Sequence, residues 1–560
     1  MKVNAENGLV RILKREGVEW VSTFPTTVIN QACGDEGVPN FMVRTERYAV
    51  AVADGFSRVS NGKRFGVCSV MGGLNAAGLQ MAYGGLAQAF EDSTPLLCIT
   101  DGIQTPIGGT KSYDITDSFR GVTKWTGYIN EPHRVPEFLT RAFTYLRSGR
   151  PGPVLVQLPK GLGEYDEDAF PYTAMKRWRR MADPHDVTVA VKALSNAKNP
   201  IIYAGQGVFY ADACEELREF AELIQVPVIT TLKGKSCFPE DHPLSLGVKG
   251  SHVERWLHGS DLVFSIGSSL SPGRRYGGFA HQIPGTRRSD NPGVEGKVIV
   301  QCTLDEMDIN RYYVVDHAVV GDAKLVLRQL IDEARNQGVP KREGIVDEVA
   351  VAKKQHLEQY AESLDSDETP INPYRVYKEL MEILDRRNSF VTHESGSTRE
   401  QLATVYEALV PHGFMGWGRV STLGFGLGAA TGAKLALPER EVVCVSGDAG
   451  VGYQLGDYEY LVRNQVGISI VHINNSGFAG YGPGFWGSGR NPYVADLLDS
   501  SVLKMADAAE ALGMKAERVE DPDEVAPALK RALKVNKSGR SAFVEIICSK
   551  YPIHGAWLTR

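Results

Sequence analysis

The stretch from Glu441 to Gly477, EVVCVSGDAGVGYQLGDYEYLVRNQVGISIVHINNSG, constrains the fold more than any other part of the chain. Val442 to Val445 is a short apolar, β-branched run that stops at Ser446-Gly447-Asp448, and Ile468 to Ile473 is a second one that stops at Asn474-Asn475. Both read as buried strands. Between them Tyr458, Leu461 and Val462 recur at helical spacing, which makes the unit strand, Gly-rich turn, helix, strand. A right-handed crossover of this kind lays its two strands parallel in one sheet. Asp448 and Asn475 then emerge at the same carboxyl edge, where open α/β sheets bind ligands.

A carboxylate, an amide oxygen and backbone carbonyls gathered at that edge form a hard oxygen site of the kind Mg²⁺ prefers, with diphosphate oxygens completing the octahedron. Gly447, Ala449 and Gly450 let the N–H groups of the turn approach such phosphates closely. A lone Gly-Asp at a strand end reads equally well as an ordinary α/β turn.

Length and charge narrow the rest. At 560 residues the chain exceeds one core, and about 100 to 200 residues per domain predicts three or four units. A net charge of −6 leaves no basic footprint for nucleic acid. The eight cysteines form no C-x-x-C pair, and Cys68, Cys98, Cys444 and Cys548 lie in apolar runs, as buried thiols of a reducing compartment do. The first twenty residues have amphipathic helical periodicity without the apolar block of a signal peptide, and no run of about 18 apolar residues predicts a membrane span. The expectation is a cytoplasmic protein with no membrane partner.

Strand-like and helical runs alternate from Met1 to about Glu164, with strands at Glu19–Phe24, Phe41–Arg44, Phe65–Val70, Leu96–Thr100 and Val154–Leu158. Asp166 to Asp186 reads as a linker. A second α/β unit follows, with strands at Ile201–Tyr203, Val228–Thr230, Leu262–Ile266 and Lys297–Gln301, and Gly338 to Thr369 reads as a second linker. The fold class expected is α/β, with three doubly wound parallel-sheet domains at residues 1–165, 187–335 and 372–560.

Arg44 to Arg58, RTERYAVAVADGFSR, reads as a helix beginning at Arg44-Thr45, in which Glu46 would be a first-turn acid favourable to the helix dipole. Glu46 followed by Asp54-Gly55-Phe56-Ser57-Arg58, together with Gly447-Asp448-Ala449 and Asn474-Asn475 twenty-seven residues later, resembles the two signature motifs of thiamine-diphosphate (ThDP) enzymes, with Ala449 in place of a glycine. Glu91-Asp-Ser-Thr-Pro95, Arg150-Pro-Gly-Pro-Val-Leu-Val-Gln-Leu-Pro-Lys160, Pro200-Ile-Ile-Tyr-Ala-Gly205, Val319-Val-Gly-Asp322 and Ser421-Thr-Leu-Gly-Phe-Gly-Leu-Gly428 agree with that family in order and distance. The chain thus resembles the acetolactate synthase, pyruvate oxidase and oxalyl-CoA decarboxylase group over nearly its whole length.

The resemblance implies a set of roles. Glu46 hydrogen-bonds the pyrimidine ring and favours its imino form, and Leu423 lies under the cofactor and bends it, although plain core packing also accounts for Leu423. Asp448, Asn475 and the Gly477 carbonyl are the implied Mg²⁺ ligands. Gly72, Gly73, Ser421, Gly447, Ala449, Gly450 and Asn475 join Glu46 and Leu423 as candidates for cofactor binding. The active site is expected between subunits of a homodimer or homotetramer, with FAD, a CoA-type nucleotide or nothing in the central domain.

Where simple 2-oxo acid decarboxylases have a His-His pair, this chain reads Gly108-Gly109-Thr110. Where acetolactate synthases have Gln-Glu, it reads Lys111-Ser112-Tyr113-Asp114, and Tyr113-Asp114 looks more like the Tyr-Glu pair of oxalyl-CoA decarboxylase and 2-hydroxyacyl-CoA lyase. Asp114 is also a natural turn cap. The catalytic candidates are therefore Glu46, Tyr113, Asp114 and Tyr481. The segment Phe478 to Trp486 reads as a substrate lid or as an ordered subunit contact, and His472 as a core histidine. The activity expected is that of a ThDP- and Mg²⁺-dependent C–C lyase or carboligase acting on a 2-oxo acid or 2-hydroxy carbonyl substrate. The alternatives are a 2-hydroxyacyl-CoA lyase or oxalyl-CoA decarboxylase-like enzyme, an FAD-linked oxidase of the pyruvate oxidase kind, and a binding protein that has lost activity.

Overall fold

The computed structural model describes residues 1–73, 76–102, 114–271, 283, 285–286, 296–477 and 497–549. Three six-stranded sheets carry the chain, and every neighbouring pair of strands in them is parallel. The first runs Asn40–Met42, Val21–Thr23, Gly66–Val70, Leu96–Thr100, Val154–Gln157, Trp125–Tyr128. The central sheet runs Ser245–Gly247, Val228–Thr230, Pro200–Ala204, Leu262–Ile266, Val298–Thr303, His317–Val320. The third runs Phe414–Met415, Ser389–His393, Glu441–Gly447, Ser469–Asn474, Ala542–Ile547, Lys515–Val519.

In each sheet the chain builds outward from one strand and then returns to that strand's other side. The reversal leaves a crevice at the carboxyl edge, between Val21–Thr23 and Gly66–Val70, between Pro200–Ala204 and Leu262–Ile266, and between Ser389–His393 and Glu441–Gly447. Crevices of this kind are where doubly wound sheets bind ligands.

The structure departs from the sequence reading at several places. The first residues form a strand, Lys2–Asn4, paired antiparallel with Glu164–Asp166, and the amphipathic helix is confined to Ala5–Arg15 behind an Asn4 cap. Asp448 does not stand in a loop: it opens the helix Asp448–Gln454 directly after its strand. Short strands such as Trp125–Tyr128 and Ser245–Gly247 lie at sheet edges, where only one neighbour and one packed face leave little apolar pattern. Among the described residues no helix is long and apolar enough to cross a membrane.

The first and third units meet along two helices, Glu46–Val59 and Phe425–Ala436, with almost no side chain between them. A Cβ on Gly55 would stand 2.5 Å from the Ala429 carbonyl oxygen, one on Gly428 2.3 Å from Ala51 Cβ, and one on Gly432 2.2 Å from the Val52 carbonyl oxygen. Tyr48 and Thr431 hydroxyls bond across the same seam at 2.7 Å. Backbone cannot yield as a flexible side chain does, so Gly432→Val is expected to cost about 3 kcal/mol and to lower the thermal midpoint, as read by calorimetry.

The central unit is locked to both neighbours at Asp92. Its buried carboxylate meets Arg58 at 3.0 Å, Lys233 of the central unit at 3.2 Å and the Gly418 N–H of the third at 3.2 Å.

Three histidines weaken this architecture in acid. His252, His393 and His412 are each pushed down to about 3, chiefly by burial. Because the folded-state value lies below the unfolded one, near 6.5, their stabilising contribution is complete above pH 6.5 and is lost as pH falls towards 3. With a slope that approaches about 1.4 kcal/mol per pH unit for each group below 6.5, the three are expected to remove roughly 5 kcal/mol between pH 6.5 and pH 5. Denaturant midpoints measured across that interval should fall by the corresponding amount, and His252→Gln should flatten part of the decline.

Candidate active site

The crevice of the third sheet holds Asp448 at the point where the strand Glu441–Gly447 becomes helix. Its Oδ2 accepts from the backbone N–H groups of Asn475, at 3.2 Å, and Gly477, at 3.1 Å. These follow the adjacent strand, Ser469–Asn474, so the crossover read from the sequence brings the two motifs together. One terminus of the Asn475 amide lies 2.9 Å from Asp448 Oδ2 and 2.9 Å from the Gly477 carbonyl oxygen. With the NH₂ in that position it donates to both. Turned over, its oxygen joins the other two in a cradle of three hard oxygens, which is a half-built octahedron for a small divalent cation. Such an all-oxygen donor set suits a hard cation such as Mg²⁺ better than zinc, which takes nitrogen and sulfur ligands.

His472 is buried in that strand, as a core histidine should be, but its Nε2 lies 3.0 Å from Asp448 Oδ1. A carboxylate only accepts, so this nitrogen carries the proton and orients the carboxylate from behind.

Three helices begin at the same edge with no side-chain cap: Ser397–Val405, Phe425–Ala436 and Asp448–Gln454. Gly396, with φ +107°, and Gly424, with φ +87°, lead into the first two. The dipoles of these helix starts favour an anion such as diphosphate, although at the second of them Gly426 N is already given to Glu394. Of the expected turn residues, a Cβ on Gly447 would meet open space, whereas one on Gly450 would stand 2.1 Å from Glu394 Cγ.

Glu394 is a site residue the sequence reading missed. It is fully buried, its Oε1 accepts from Ser395 N at 2.8 Å and its Oε2 from Gly426 N at 3.1 Å. Burial pushes the carboxyl up to about 7 against those bonds. It thus pins two of the three helix starts together, and its place directly after the apolar run Ser389–His393 is the only sequence signal for it. Ser421, at φ +65°, bonds Ser395 through their hydroxyls and accepts from Arg399 Nη1 at 3.1 Å. Leu423 is half-buried, and its carbonyl accepts from Arg47 Nη1 at 3.1 Å.

Glu46 lies in the first unit, in the first turn of its helix behind the Thr45 cap, and is 6% exposed. Burial raises its pKa. A Cβ on Gly78 would stand 2.4 Å from Glu46 Oε1, so glycine there makes room for the carboxylate. Gly72 and Gly73 follow the strand Gly66–Val70 at the crevice of this sheet. Gly72 N donates to Asp101 Oδ1 at 3.1 Å, and Gly73 has φ +62°. Asp114 is exposed and caps the short helix Ile115–Phe119, its Oδ1 accepting from Asp117 N at 2.9 Å. Tyr113, Tyr481 and Trp486 lie outside the described residues.

The crevice of the central sheet opens into a cavity of about 750 Å³ lined by Gly205, Gly267, Arg150, Arg177 and Lys233. A Cβ on Gly205 would come within 2.4 Å of the Gly267 carbonyl oxygen, which keeps the two strand ends close and the crevice open to a ligand backbone. The volume is in the range of small-molecule and cofactor sites.

Comparison with known proteins agrees with this arrangement. Residues 3–120 match the family model described as thiamine pyrophosphate enzyme, N-terminal TPP binding domain. Residues 187–330 match that of the central domain and residues 394–546 that of the C-terminal TPP binding domain. The chain is 30% identical over 553 residues to a probable acetolactate synthase large subunit from Methanocaldococcus jannaschii, covering 94% of this chain and 90% of that one. It is 30% identical over 557 residues to a glyoxylate carboligase from Escherichia coli O157:H7, covering 95% and 90%. It is 27% identical over 564 residues to the acetolactate synthase isozyme 3 large subunit of Escherichia coli strain K12, covering 96% and 93%.

Proposed function

The chain belongs to the thiamine pyrophosphate enzyme family and is a ThDP-dependent enzyme, and from that premise we propose that it is a Mg²⁺-requiring carboligase that joins a 2-oxo acid to a second small carbonyl compound. The observation that carries the metal assignment is the convergence at the Asn475 amide, one terminus of which lies 2.9 Å from Asp448 Oδ2 and 2.9 Å from the Gly477 carbonyl oxygen. The names of the relatives, acetolactate synthase and glyoxylate carboligase, support the reaction class.

Bound ThDP supplies an electron sink that lets an acyl carbon act as a nucleophile. The protein's part is to bind it and manage its protons. Asp448, Asn475 and Gly477 would hold the cation, and the helix starts at Ser397, Phe425 and Asp448 would receive the diphosphate. Glu46, buried and of raised pKa, would hold a proton for the pyrimidine ring. Leu423 would pack under the cofactor, and Ser421, Gly72 and Gly73 would line it. Tyr113, Asp114 and Tyr481 remain the candidates for proton transfer to substrate, and no histidine pair stands ready to release a free aldehyde rapidly. The site is completed between two chains of a homodimer or homotetramer in the cytoplasm, with domains bounded at 1–165, 187–335 and 372–560. The central cavity suits FAD or a CoA-type nucleotide, and the visible absorbance of purified protein distinguishes them.

Incubation with pyruvate alone and then with an added aldehyde or 2-oxo acid acceptor tests the reaction class. A condensation product that forms only with the acceptor pair supports the proposal, whereas fast acetaldehyde release that no acceptor diverts refutes it. Cleavage of a 2-hydroxyacyl-CoA or oxalyl-CoA would favour the reading based on Tyr113-Asp114.

A further inference from the structure

Asp457 closes the turn Leu455–Asp457 that directly follows the helix begun by Asp448. It is 2% exposed, and its partners lie in the first unit. Its Oδ1 accepts from the backbone N–H of Arg44 at 3.1 Å and its Oδ2 from the Thr45 hydroxyl at 3.0 Å. The Thr45 oxygen in turn accepts from Tyr48 N at 3.3 Å, as the cap of the helix whose first residue is Glu46.

A hydroxyl has one proton. By giving it to Asp457, Thr45 is left with its lone pairs for the Tyr48 amide, so the carboxylate fixes the direction of the cap as well as its place. Two flanking contacts hold the same segment, Arg44 Nε to Glu459 at 3.2 Å and Arg463 Nη2 to the Met42 carbonyl at 2.8 Å, but both involve half-exposed side chains. Asp457 is the buried anchor between them. Burial lifts its carboxyl to about 6, and the bonds from Arg44 and Thr45 favour the ionised form that can accept from both.

We propose that Asp457 is a positioning residue for Glu46: it grips the start of the Glu46 helix and ties it rigidly to the metal-bearing segment of the same chain. This rests on the reading that Glu46 activates ThDP. A carboxylate that must meet one ring nitrogen gains from such an anchor, because a displacement of about 1 Å at a reacting group costs on the order of 100-fold.

The test uses the holoenzyme. Asp457→Asn keeps the shape but presents an NH₂ to the Thr45 oxygen, so the hydroxyl proton loses its acceptor and the oxygen has to accept from the new NH₂ and the Tyr48 amide together, which loosens the cap. Hydrogen–deuterium exchange at C2 of bound ThDP is expected to slow by about 10- to 100-fold, with magnesium and ThDP affinity within about twofold of the parent. Thr45→Val should reproduce this, Thr45→Ser should restore the parent rate, and the double variant Asp457→Asn/Thr45→Val should be no slower than either single one. Without cofactor, amide exchange at Tyr48 should quicken in Asp457→Asn. Unchanged C2 exchange in both Asp457→Asn and Thr45→Val, with Glu46→Gln slow, overturns the inference and leaves the Glu46 reading intact. Unchanged exchange in Glu46→Gln overturns both. A lowered thermal midpoint with unchanged C2 exchange makes Asp457 a strut only and also overturns it. Should Asp457→Asn fail to fold, the Thr45→Val and Thr45→Ser pair decides the matter alone.

Discussion

Asp448→Ala is expected to weaken Mg²⁺-dependent ThDP binding by at least about 100-fold, since changes even to residues that merely support a metal ligand cost about 10- to 100-fold. Asp448 is the single carboxylate in the oxygen cradle, and an amide and a carbonyl alone offer a cation only dipoles. The same substitution removes the acceptor for Asn475 N, Gly477 N and His472 Nε2, so the loop after the strand Ser469–Asn474 loses its anchor as well as its charge. Titration of ThDP at fixed Mg²⁺, followed by protein fluorescence or calorimetry, measures the effect. Circular dichroism serves as a control for folding. Binding at the parent affinity in a folded Asp448→Ala protein would falsify the metal assignment.

The other large effect is expected at Glu46. Glutamine keeps the size and one hydrogen bond but cannot exchange a proton with a ring nitrogen, and proton transfer by a positioned group contributes typically 10²- to 10⁴-fold. Glu46→Gln should therefore bind the cofactor and slow C2 hydrogen–deuterium exchange by about 1000-fold. The sign of the pKa shift agrees with this role. Burial raises the carboxyl, the direction that suits a group holding its proton for the ring. Exchange at the parent rate would remove Glu46 from the mechanism.

What could be read in the sequence was what is local. Asp448 and Asn475 are legible because each ends a β-branched run, and the crossover rule then places them side by side. The helix of Glu46 is legible from its cap, Thr45, and from the motif that follows it. Glu394, Asp457 and His472 were not, because their meaning lies in partners elsewhere: Gly426, Thr45 and Asp448 respectively. No periodicity encodes a carboxylate reaching across a sheet or between two units. The edge strand Trp125–Tyr128 escaped for a different reason, since it has only one fully buried position and gives no alternation, whereas the edge strand Asn40–Met42 was legible as Phe41–Arg44. Gly55 and Gly428 stood out in the sequence only as members of family motifs and Gly432 not at all, because the close approach they permit exists only once the two helices cross.

That crossing decides where the molecule can move. Side chains that interdigitate can slide by changing rotamer, but a seam of backbone on backbone has no rotamers to change. The first and third units must therefore travel together as one piece. Any opening that admits a cofactor has to come from a joint elsewhere, which in the proposed homodimer or homotetramer would be the surface between two copies of the chain. A spin-label pair placed across the seam should report one fixed distance at every stage of turnover.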